Sequence, residues 1–504
     1  MFMPSFVHTR RRRSAQRSVS VAPLAAVLVA GLGLALAGCN RGQTPPAPVA
    51  APDVAATPPK PAASVCKASA SWITSPSEPA EVAPEESFCD FYQFSWQWFL
   101  AQVSPANKAD PAGNRVFETN RLHNPNVKSG QCSLPLLLGR ASAAKLIAER
   151  SDKPQDFEDT QADGNALYDQ NGNILYYNIW YSKAMCESSQ QGFAPGTFEI
   201  KVSWMVLPKP DPTFFTMQAV LPGTKQQVTL GMVGFHLANW TSKHPEMIWA
   251  TWEHKRNAPL CDGSSAMPAE GWSFAAKDAA QCLTVNPQPT AGPPSANCAS
   301  FKFNTPNQQQ DPQPPTGAPN NVCRQYASGN QPGTSINGND NAANLAAIDQ
   351  LNDQLVGPNG LLTQLPDTDP MAIWKHYELI GAIWTKGGAS SGNPPIPYTV
   401  HEKGGVDKIV PGDRNSLQRG SLELTNMSME TFQQGDTSWA PNCFGCHQFK
   451  TEEPLDVSHI CQSLFSQDAG GNCVVPPAGP QAGPQAGAPA ATADPAKSAA
   501  AAKK

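Results

Sequence analysis

The chain lacks the excess of basic residues that proteins carry when they bind nucleic acid through charge. It contains 36 lysines and arginines against 41 aspartates and glutamates. Five of the arginines lie within residues 10–17, and residues 1–38 contain no acidic side chain, so the rest of the chain is more acidic still. A mildly acidic surface argues against nucleic acid and anionic lipid head groups as partners.

One short cysteine- and histidine-containing motif occurs once in the sequence. Cys443, Cys446 and His447 form the pattern C-x-x-C-H. Two thiols at this spacing can each add to a vinyl group of haem, and the histidine that follows can bind the iron. The alternatives are a thioredoxin-like redox pair, which needs a βαβ context, and a zinc site, which needs a second Cys/His pair at finger-like spacing. Neither context is present, so the motif predicts one covalent haem c with His447 as iron ligand.

The sequence also lacks any methionine after His447, which excludes a downstream methionine as the second iron ligand. Upstream, a loop containing Gly435 and Pro441 could span the haem ring and bring Met429 over its far face. Met429 is therefore our candidate distal ligand, with packing into the core as the alternative. An open iron site and a histidine of the β-rich region also compete with it; these histidines are His236, His244 and His254.

The N-terminal segment has the organisation of an export signal. A cluster of arginines precedes an apolar stretch at 19–37 that is rich in small residues, which is typical of a signal peptide rather than a lasting membrane span. The ending Leu36-Ala37-Gly38-Cys39 resembles a bacterial lipobox, in which the cysteine is acylated. We therefore predict a lipoprotein signal peptide at 1–38, lipidation of Cys39 and membrane attachment through that lipid. An ordinary signal peptide, with Cys39 incidental, is the alternative.

The residue after the predicted lipidation site indicates which of the two bacterial membranes holds the lipid anchor. Asn40, rather than aspartate, follows Cys39. By resemblance to known lipoproteins, this favours the outer membrane over the inner one. The predicted location is thus lipid-anchored to the outer membrane, on its periplasmic side.

Thirteen cysteines are many for a reducing compartment. Setting aside Cys39, Cys443 and Cys446 leaves ten, an even number that predicts up to five disulfides in an oxidising space. Because short loops close most easily, we expect neighbours in sequence to pair. The expected pairs are Cys261–Cys282, Cys298–Cys323 and Cys461–Cys473.

Composition divides residues 39–504 into a tether, a body, a haem c-binding segment and a tail. Residues 39–64 consist mostly of proline, alanine and other small residues, which predicts a disordered tether, and residues 474–504 predict a disordered tail. Between them we expect a β-rich body at 65–415 and a haem c-binding segment at 416–473. The body contains an insertion at 284–340, rich in proline, glutamine, asparagine and glycine, which we interpret as a disulfide-pinned insertion or a partner-facing loop.

Hydrophobic periodicity predicts an α+β fold, with an antiparallel β-rich body, helical decorations and a C-terminal helical haem c segment. Apolar residues recur at helical spacing in three stretches: 88–100, 134–150 and 341–356. Strand-like runs separated by proline and glycine lie at 198–207, 214–221, 227–237 and 247–254. The Asn171-Gly172 pair predicts the turn of a hairpin within 167–177.

Beyond the motif, the chain contains several distinctive runs, of which the histidine- and tryptophan-rich run at 244–254 is the most distinctive. The others lie at 94–97, 169–173, 233–237, 377–381 and 424–431. Together with the C-x-x-C-H motif they resemble a group of large bacterial monohaem proteins described as cytochrome c family proteins. The resemblance implies a covalent haem and an exported location, but no particular reaction. The insertion at 284–340 departs from the pattern of that group.

Three functions fit these expectations. The favoured one is electron transfer through a single haem c, with a redox partner protein or a small redox substrate. A compact electron carrier needs only about a hundred residues, so carriage leaves most of this chain unexplained. The alternative is a monohaem redox enzyme, peroxidase- or oxygenase-like, in which the β body forms the distal pocket. A third is a binding lipoprotein that uses its haem as a redox sensor.

Overall fold

The computed structural model describes residues 65–122, 165–186, 188, 192–221, 226–285, 298–306, 314–330, 335–336, 338–386, 398–402, 406–410, 418–434, 442–447, 454–458, 460, 466–467 and 473–474. All of them belong to one compact unit, Ala62–Lys504. The predicted signal peptide, Cys39, the tether and the predicted helix at 134–150 lie outside these residues. No helix among the described residues is long and apolar enough to cross a membrane.

The described residues form the following elements, in chain order. The strands are β1 (Arg121–Leu122), β2 (Tyr176–Tyr181), β3 (Phe198–Leu207), β4 (Thr216–Val220), β5 (Gln227–Asn239), β6 (Ile248–His254), β7 (Ser335–Ile336), β8 (Asn339–Asp340), β9 (Tyr377–Thr385), β10 (Tyr398–Glu402), β11 (Val406–Val410), β12 (Gln418–Gly420), β13 (Ser466–Gln467) and β14 (Cys473–Val474). The α-helices are α1 (Ser71–Thr74), α2 (Phe88–Val103), α3 (Lys183–Cys186), α4 (Lys277–Val285), α5 (Asn341–Val356) and α6 (Cys443–Cys446).

One antiparallel sheet of eight strands dominates the molecule. Its order is β1-β2-β3-β5-β6-β9-β12, and β4 pairs with β5. The pairs β7–β8, β10–β11 and β13–β14 form three separate two-stranded sheets. Every one of these pairings is antiparallel. The predicted α+β class with an antiparallel β-rich body is therefore confirmed, and the four predicted strand runs correspond to β3, β4, β5 and β6.

Helices cover one face of the sheet, which we call the helix face. The long helix α2 begins at a capping box, in which the Ser87 side chain accepts the Asp90 N–H and the Asp90 carboxylate accepts the Ser87 N–H. Its aromatic side chains then pack against the sheet: the Phe99 ring stacks on Trp252 with centroids 4.6 Å apart. The Leu351 side chain of α5 is fully buried in the same apolar cluster. The helices predicted around 88–100 and 341–356 are thus both confirmed.

The opposite face, which we call the motif face, is polar in its middle. Ser203 on β3 and Ser428 place their hydroxyl oxygens 2.6 Å apart, and Asn426 donates to the Thr251 hydroxyl at 2.7 Å. Gly234 of β5 lies beneath them, where a Cβ would collide with the Ser428 hydroxyl. Glycine is required here because the chain that follows β12 crosses this close to the sheet.

A buried ion pair fixes residues 421–430, the segment after β12, which we call the crossing chain. Arg324 pairs with Glu253 of β6 and also donates to the Thr425 carbonyl at 3.1 Å. The Glu253 carboxylate accepts the Met427 N–H at 2.7 Å as well. Buried charges are tolerated only when each is paired and hydrogen-bonded, which is the case here. After these contacts the segment continues as a turn and a 3₁₀ helix, Thr431–Gln433.

Disulfides are present, but two of the expected pairs are wrong. The structure pairs Cys261 with Cys323 and Cys282 with Cys298, at Cα separations of 4.9 and 5.6 Å. Loop length does not decide the pairing, because the Cys261 N–H donates to the Arg324 carbonyl and so places residue 323 beside Cys261. A third disulfide joins Cys66 to Cys89. The expected Cys461–Cys473 pair lies outside the described side chains.

The described part of the 284–340 insertion packs into the body. Val322 and Cys323 are fully buried, and the Val322 N–H donates to the Phe274 carbonyl at 2.7 Å. The hairpin predicted around Asn171-Gly172 also forms, with a bridge between Tyr168 and Ile174. Gly172 has φ +77°, and a Cβ there would collide with the Gly317 carbonyl of the insertion. The described residues of the insertion are thus packed against the body and joined to it by the Cys261–Cys323 disulfide.

Candidate functional site

The C-x-x-C-H motif folds as one helical turn, α6, on the motif face. Asn442 caps it: its side-chain oxygen accepts the Phe444 N–H at 3.0 Å. The Asn442 amide also donates to the Leu422 carbonyl at 2.6 Å, which ties the turn to the chain after β12. Side chains three apart on a helix lie on the same side, so one turn brings the attachment points of Cys443 and Cys446 together.

Phe444, between the two cysteines, anchors the turn. Its side chain is fully buried in an apolar cluster with Trp249, Ala238 and Ile383 of the sheet. Leu455, Val457 and Ile460, which follow the motif, are buried in the same cluster. Cys443 packs against this cluster and is only half-buried. The motif is therefore seated on the sheet by its second residue, with the first cysteine at the edge of the apolar contact.

Contacts with Val457 and Trp249 orient the His447 ring. Its Nδ1–H donates to the Val457 carbonyl at 2.8 Å, and its ring packs on Trp249 with centroids 4.1 Å apart. The Trp249 indole N–H donates in turn to the Glu246 carbonyl at 3.0 Å, which fixes the indole. A histidine that binds a metal generally donates its other ring nitrogen to a carbonyl or carboxylate. With its proton on Nδ1, the neutral imidazole carries its lone pair on Nε2, which is the form of the ring that ligates a metal.

These residues fit a covalent haem. Nδ1 of His447 is committed to a backbone carbonyl, as in metal-binding histidines, and Cys443 packs against an apolar surface that could lie against a haem ring. The side chain of Cys446 lies outside what the structure describes. No group of three or more His, Cys, Asp or Glu that could hold a metal ion occurs among the described residues.

Met429, the candidate distal ligand, is fully buried elsewhere. It belongs to a second apolar cluster on the motif face, with Tyr177, Val233 and Phe274. That cluster shares no member with the one around Phe444 and Trp249. Its role as an iron ligand stays a prediction, and its packing matches the alternative of a core methionine.

His236 is the one of the three β-region histidines that lies on the motif face near Trp249. It pairs across the strands with Thr251, two residues along β6 from Trp249. Its Nε2 lies 2.9 Å from the Glu430 carboxylate, and both side chains are about one-fifth exposed. Burial acts to raise the pKa of Glu430, but the attraction of His236 and further hydrogen bonds outweigh it and lower that pKa.

The other two histidines have structural partners. His244 is fully buried, with Nδ1 3.0 Å from the Glu246 carboxylate, and its ring contacts Phe91 on the helix face. His254 donates from Nε2 to the Thr213 carbonyl at 3.0 Å and accepts the Arg256 N–H on Nδ1 at 3.1 Å. Burial lowers the pKa of His254 to about 3, so it is neutral at pH 7. Their candidacy as iron ligands stays a prediction.

Sequence reasoning missed two contributors to this surface. The sequence assigns Trp249 no role at the motif, because its stacking on His447 is a contact between distant segments. Glu199 alternates with the apolar Phe198 and Ile200 of β3 and therefore faces the motif side of the sheet. Burial raises the pKa of Glu199 to about 8, while the charge of Lys201 opposes the rise. An acidic residue in a strand whose other face is apolar was the available signal.

A surface cavity of about 620 Å³ lies elsewhere, near the first residues of β4 and the end of the chain leading to β9. Arg115, Phe215, Lys375 and His376 are among its lining residues, and no residue of the motif is. Acidic and basic side chains both line it, and Lys375 is paired with Asp367. The cavity is thus separate from the candidate site.

Comparison with known proteins adds no relative: no family model, no curated protein and no solved structure matches this chain.

Proposed function

We propose that this protein binds one covalent haem c through Cys443 and Cys446 and transfers electrons through it. When bound, the haem supplies a site that gains and loses a single electron. The observation that carries the proposal is the His447 Nδ1–H bond to the Val457 carbonyl, next to a C-x-x-C turn seated by Phe444. A resemblance of the sequence to cytochrome c family proteins supports it as well.

Four residues around the motif have a defined task in this proposal. Val457 and Trp249 hold the His447 ring in one orientation and one tautomer. Phe444 and its cluster exclude water from one side of the turn. Asn442 caps the turn and joins it to the chain after β12. The partner is a redox protein or a small redox substrate that exchanges one electron.

We further propose that the protein is exported and anchored by a lipid on Cys39 to the outer membrane, facing the periplasm. The signal-like segment at 1–38 and the lipobox-like ending support this location. Labelled fatty acid should enter the wild type, and Cys39→Ser should release an exported, unlabelled protein. Normal export without label would contradict the anchor.

Haem retention under denaturing conditions tests the covalent attachment on which the proposal depends. The wild type should keep its haem through denaturing electrophoresis, because thioether bonds survive unfolding. Cys446→Ala should weaken this retention, and the double variant Cys443→Ala/Cys446→Ala should lose it. The matched control removes a disulfide instead: Cys282→Ala/Cys298→Ala should retain haem. Quantitative loss of haem from the denatured wild type would overturn the proposal.

A monohaem redox enzyme is the second candidate, and the His236–Glu430 pair favours it. A partly buried imidazole–carboxylate pair on the same face as Trp249 is the type of group that moves protons at a catalytic haem. Carbon monoxide binding to the reduced protein separates the two functions. Free binding would favour the enzyme, whereas exclusion of carbon monoxide indicates two strong axial ligands and electron transfer. The Met429→Ala variant shows whether Met429 is the second ligand, since its loss would open the iron to carbon monoxide.

A further inference from the structure

The motif face carries a buried carboxylic acid that the proposed function leaves without a role. Glu199 of β3 has only 9% of its surface exposed. Polar Lys201 and Ser203 follow it on the same face, while the neighbours Phe198 and Ile200 point to the helix face and are buried there. A buried acid in such a position is unfavourable for stability, because burial penalises its charged form. A buried ionisable group of this kind is a candidate for a functional role.

Strand register places Glu199 close to the motif. Glu199 pairs with Ala238 of β5, and Ala238 pairs with Trp249 of β6. Directly paired residues lie on the same face of a sheet, and each strand spacing is about 4.8 Å, so the Glu199 and Trp249 backbones lie roughly 10 Å apart. Ala238, with the smallest side chain of the three, lies between them. The Trp249 ring contacts the His447 ring at 4.1 Å.

Several charged or titratable groups surround Glu199, and their balance matters for its proton. Lys201 on its own strand is the charge that lowers its pKa. Tyr181 of β2 pairs with Glu199, and His236 of β5, which binds Glu430, pairs with Lys201. Lys183 of α3, the helix packed on β3, is exposed. The charges of His236 and Lys201 both stabilise the Glu430 carboxylate, so Lys201 acts on two carboxylates, Glu199 and Glu430.

We propose that Glu199 takes up a proton when the haem iron gains an electron, and releases it when the electron leaves. This inference rests on the proposed function. A one-electron donor protein supplies the electron, solvent supplies the proton, and the only bond that forms is the O–H bond of the carboxyl group. The cause is electrostatic: oxidised iron bears one more positive charge than reduced iron and stabilises a nearby carboxylate, so reduction favours the neutral acid.

The consequence is a reduction potential that depends on pH. Burial raises the pKa of Glu199 to about 8, which places its titration within reach of neutral solution. Between the pKa of Glu199 in the oxidised protein and its pKa in the reduced protein, each tenfold fall in proton concentration should lower the midpoint potential by up to ~59 mV. Outside that range the potential should be constant.

Spectroelectrochemical titration of the haem-loaded protein from about pH 6 to about pH 9 tests the inference. The wild type should show the falling segment, and Glu199→Gln should remove it. Glu378→Gln is the matched control, since Glu378 is another carboxylic acid whose pKa is raised by burial. It lies on β9 five residues from Ile383, the partner of Trp249, and this variant should keep the wild-type slope.

A second variant keeps the test informative if Glu199→Gln folds poorly. Lys201→Met removes the charge that opposes protonation, so the falling segment should move to higher pH. A potential that does not change with pH in the wild type, or a slope that persists unchanged in Glu199→Gln, would overturn the inference while leaving the haem proposal intact. Purified protein without a haem absorption band would overturn both.

Discussion

The two faces of the main sheet are built from the same strands but differ in the side chains that cover them. On the helix face, Trp252 contacts Trp96, Phe99 and Phe235 in a continuous aromatic cluster. On the motif face, Trp249 of the same strand packs instead on His447, and ionisable residues lie between two separate apolar clusters. The difference indicates that stability is concentrated on the helix face, and that the motif face is the one adapted to chemistry.

Truncation of the two tryptophans compares the faces most strongly. Trp252→Ala should lower the free energy of unfolding by about 3–5 kcal/mol, because it opens a cavity inside an interlocked aromatic core. Trp249→Ala should lower the free energy of unfolding by less, since Trp249 packs on the His447 ring rather than inside an aromatic cluster. It should, however, disturb the surroundings of His447. Urea unfolding of the two purified variants measures both. Equal losses would remove the distinction between the faces.

The buried ion pair tests how the crossing chain is fixed to the motif face. Arg324→Met should destabilise the protein by about 3 kcal/mol, because the Glu253 charge then stays buried without its partner. The double variant Arg324→Met/Glu253→Gln is the control and should recover part of that loss. Thermal unfolding of the set provides the comparison. An Arg324→Met variant as stable as the wild type would show that the pair does not hold this segment.

Glu199 predicts a stability change that depends on pH. Its pKa in the folded protein, about 8, is higher than in the unfolded chain, so the folded state keeps the proton longer. The resulting stability is fully present below about pH 4.5 and is lost as the pH rises through about 8. Glu199→Gln should therefore be more stable than the wild type at pH 9 and equal to it near pH 4. A constant difference across this range would contradict the buried-acid account.

The smallest effect concerns the start of the helix that covers the helix face. Ser87→Ala removes the capping box of α2 and should lower stability by about 1 kcal/mol. Ser77→Ala, at an exposed serine between α1 and α2, is the control and should change the stability little. Chemical denaturation resolves the two. A cap loss above that of the Trp252 truncation would mean that the helix, rather than its aromatic contacts, limits stability.

The sequence predicts the elements of this fold better than their long-range partners. Alternation in β3 and helical spacing in α2 are local patterns, so both elements were predicted from periodicity alone. The pairing of Cys261 with Cys323 was not, because it follows from a backbone contact between the Cys261 region and Arg324. The pairing of Trp249 with His447 joins positions almost 200 apart in the chain, and no local pattern encodes it.

The candidate site divides in the same way. Cys443, Cys446 and His447 are identified by spacing, because haem attachment requires all three in one short segment. Met429 was chosen from sequence distance, which says nothing of direction, and the structure buries it in the cluster around Tyr177. Glu199 and His236 reach the motif face through strand register, which single-strand patterns do not fix.

Mass spectrometry of the proteolysed protein tests the central claim most directly. The account predicts that the peptide containing residues 443–447 carries the mass of one haem, attached through both Cys443 and Cys446. It predicts no haem on any other peptide, since the sequence contains a single C-x-x-C-H motif. Recovery of that peptide unmodified from protein expressed with haem attachment machinery, or with its two cysteines joined in a disulfide, would contradict the account.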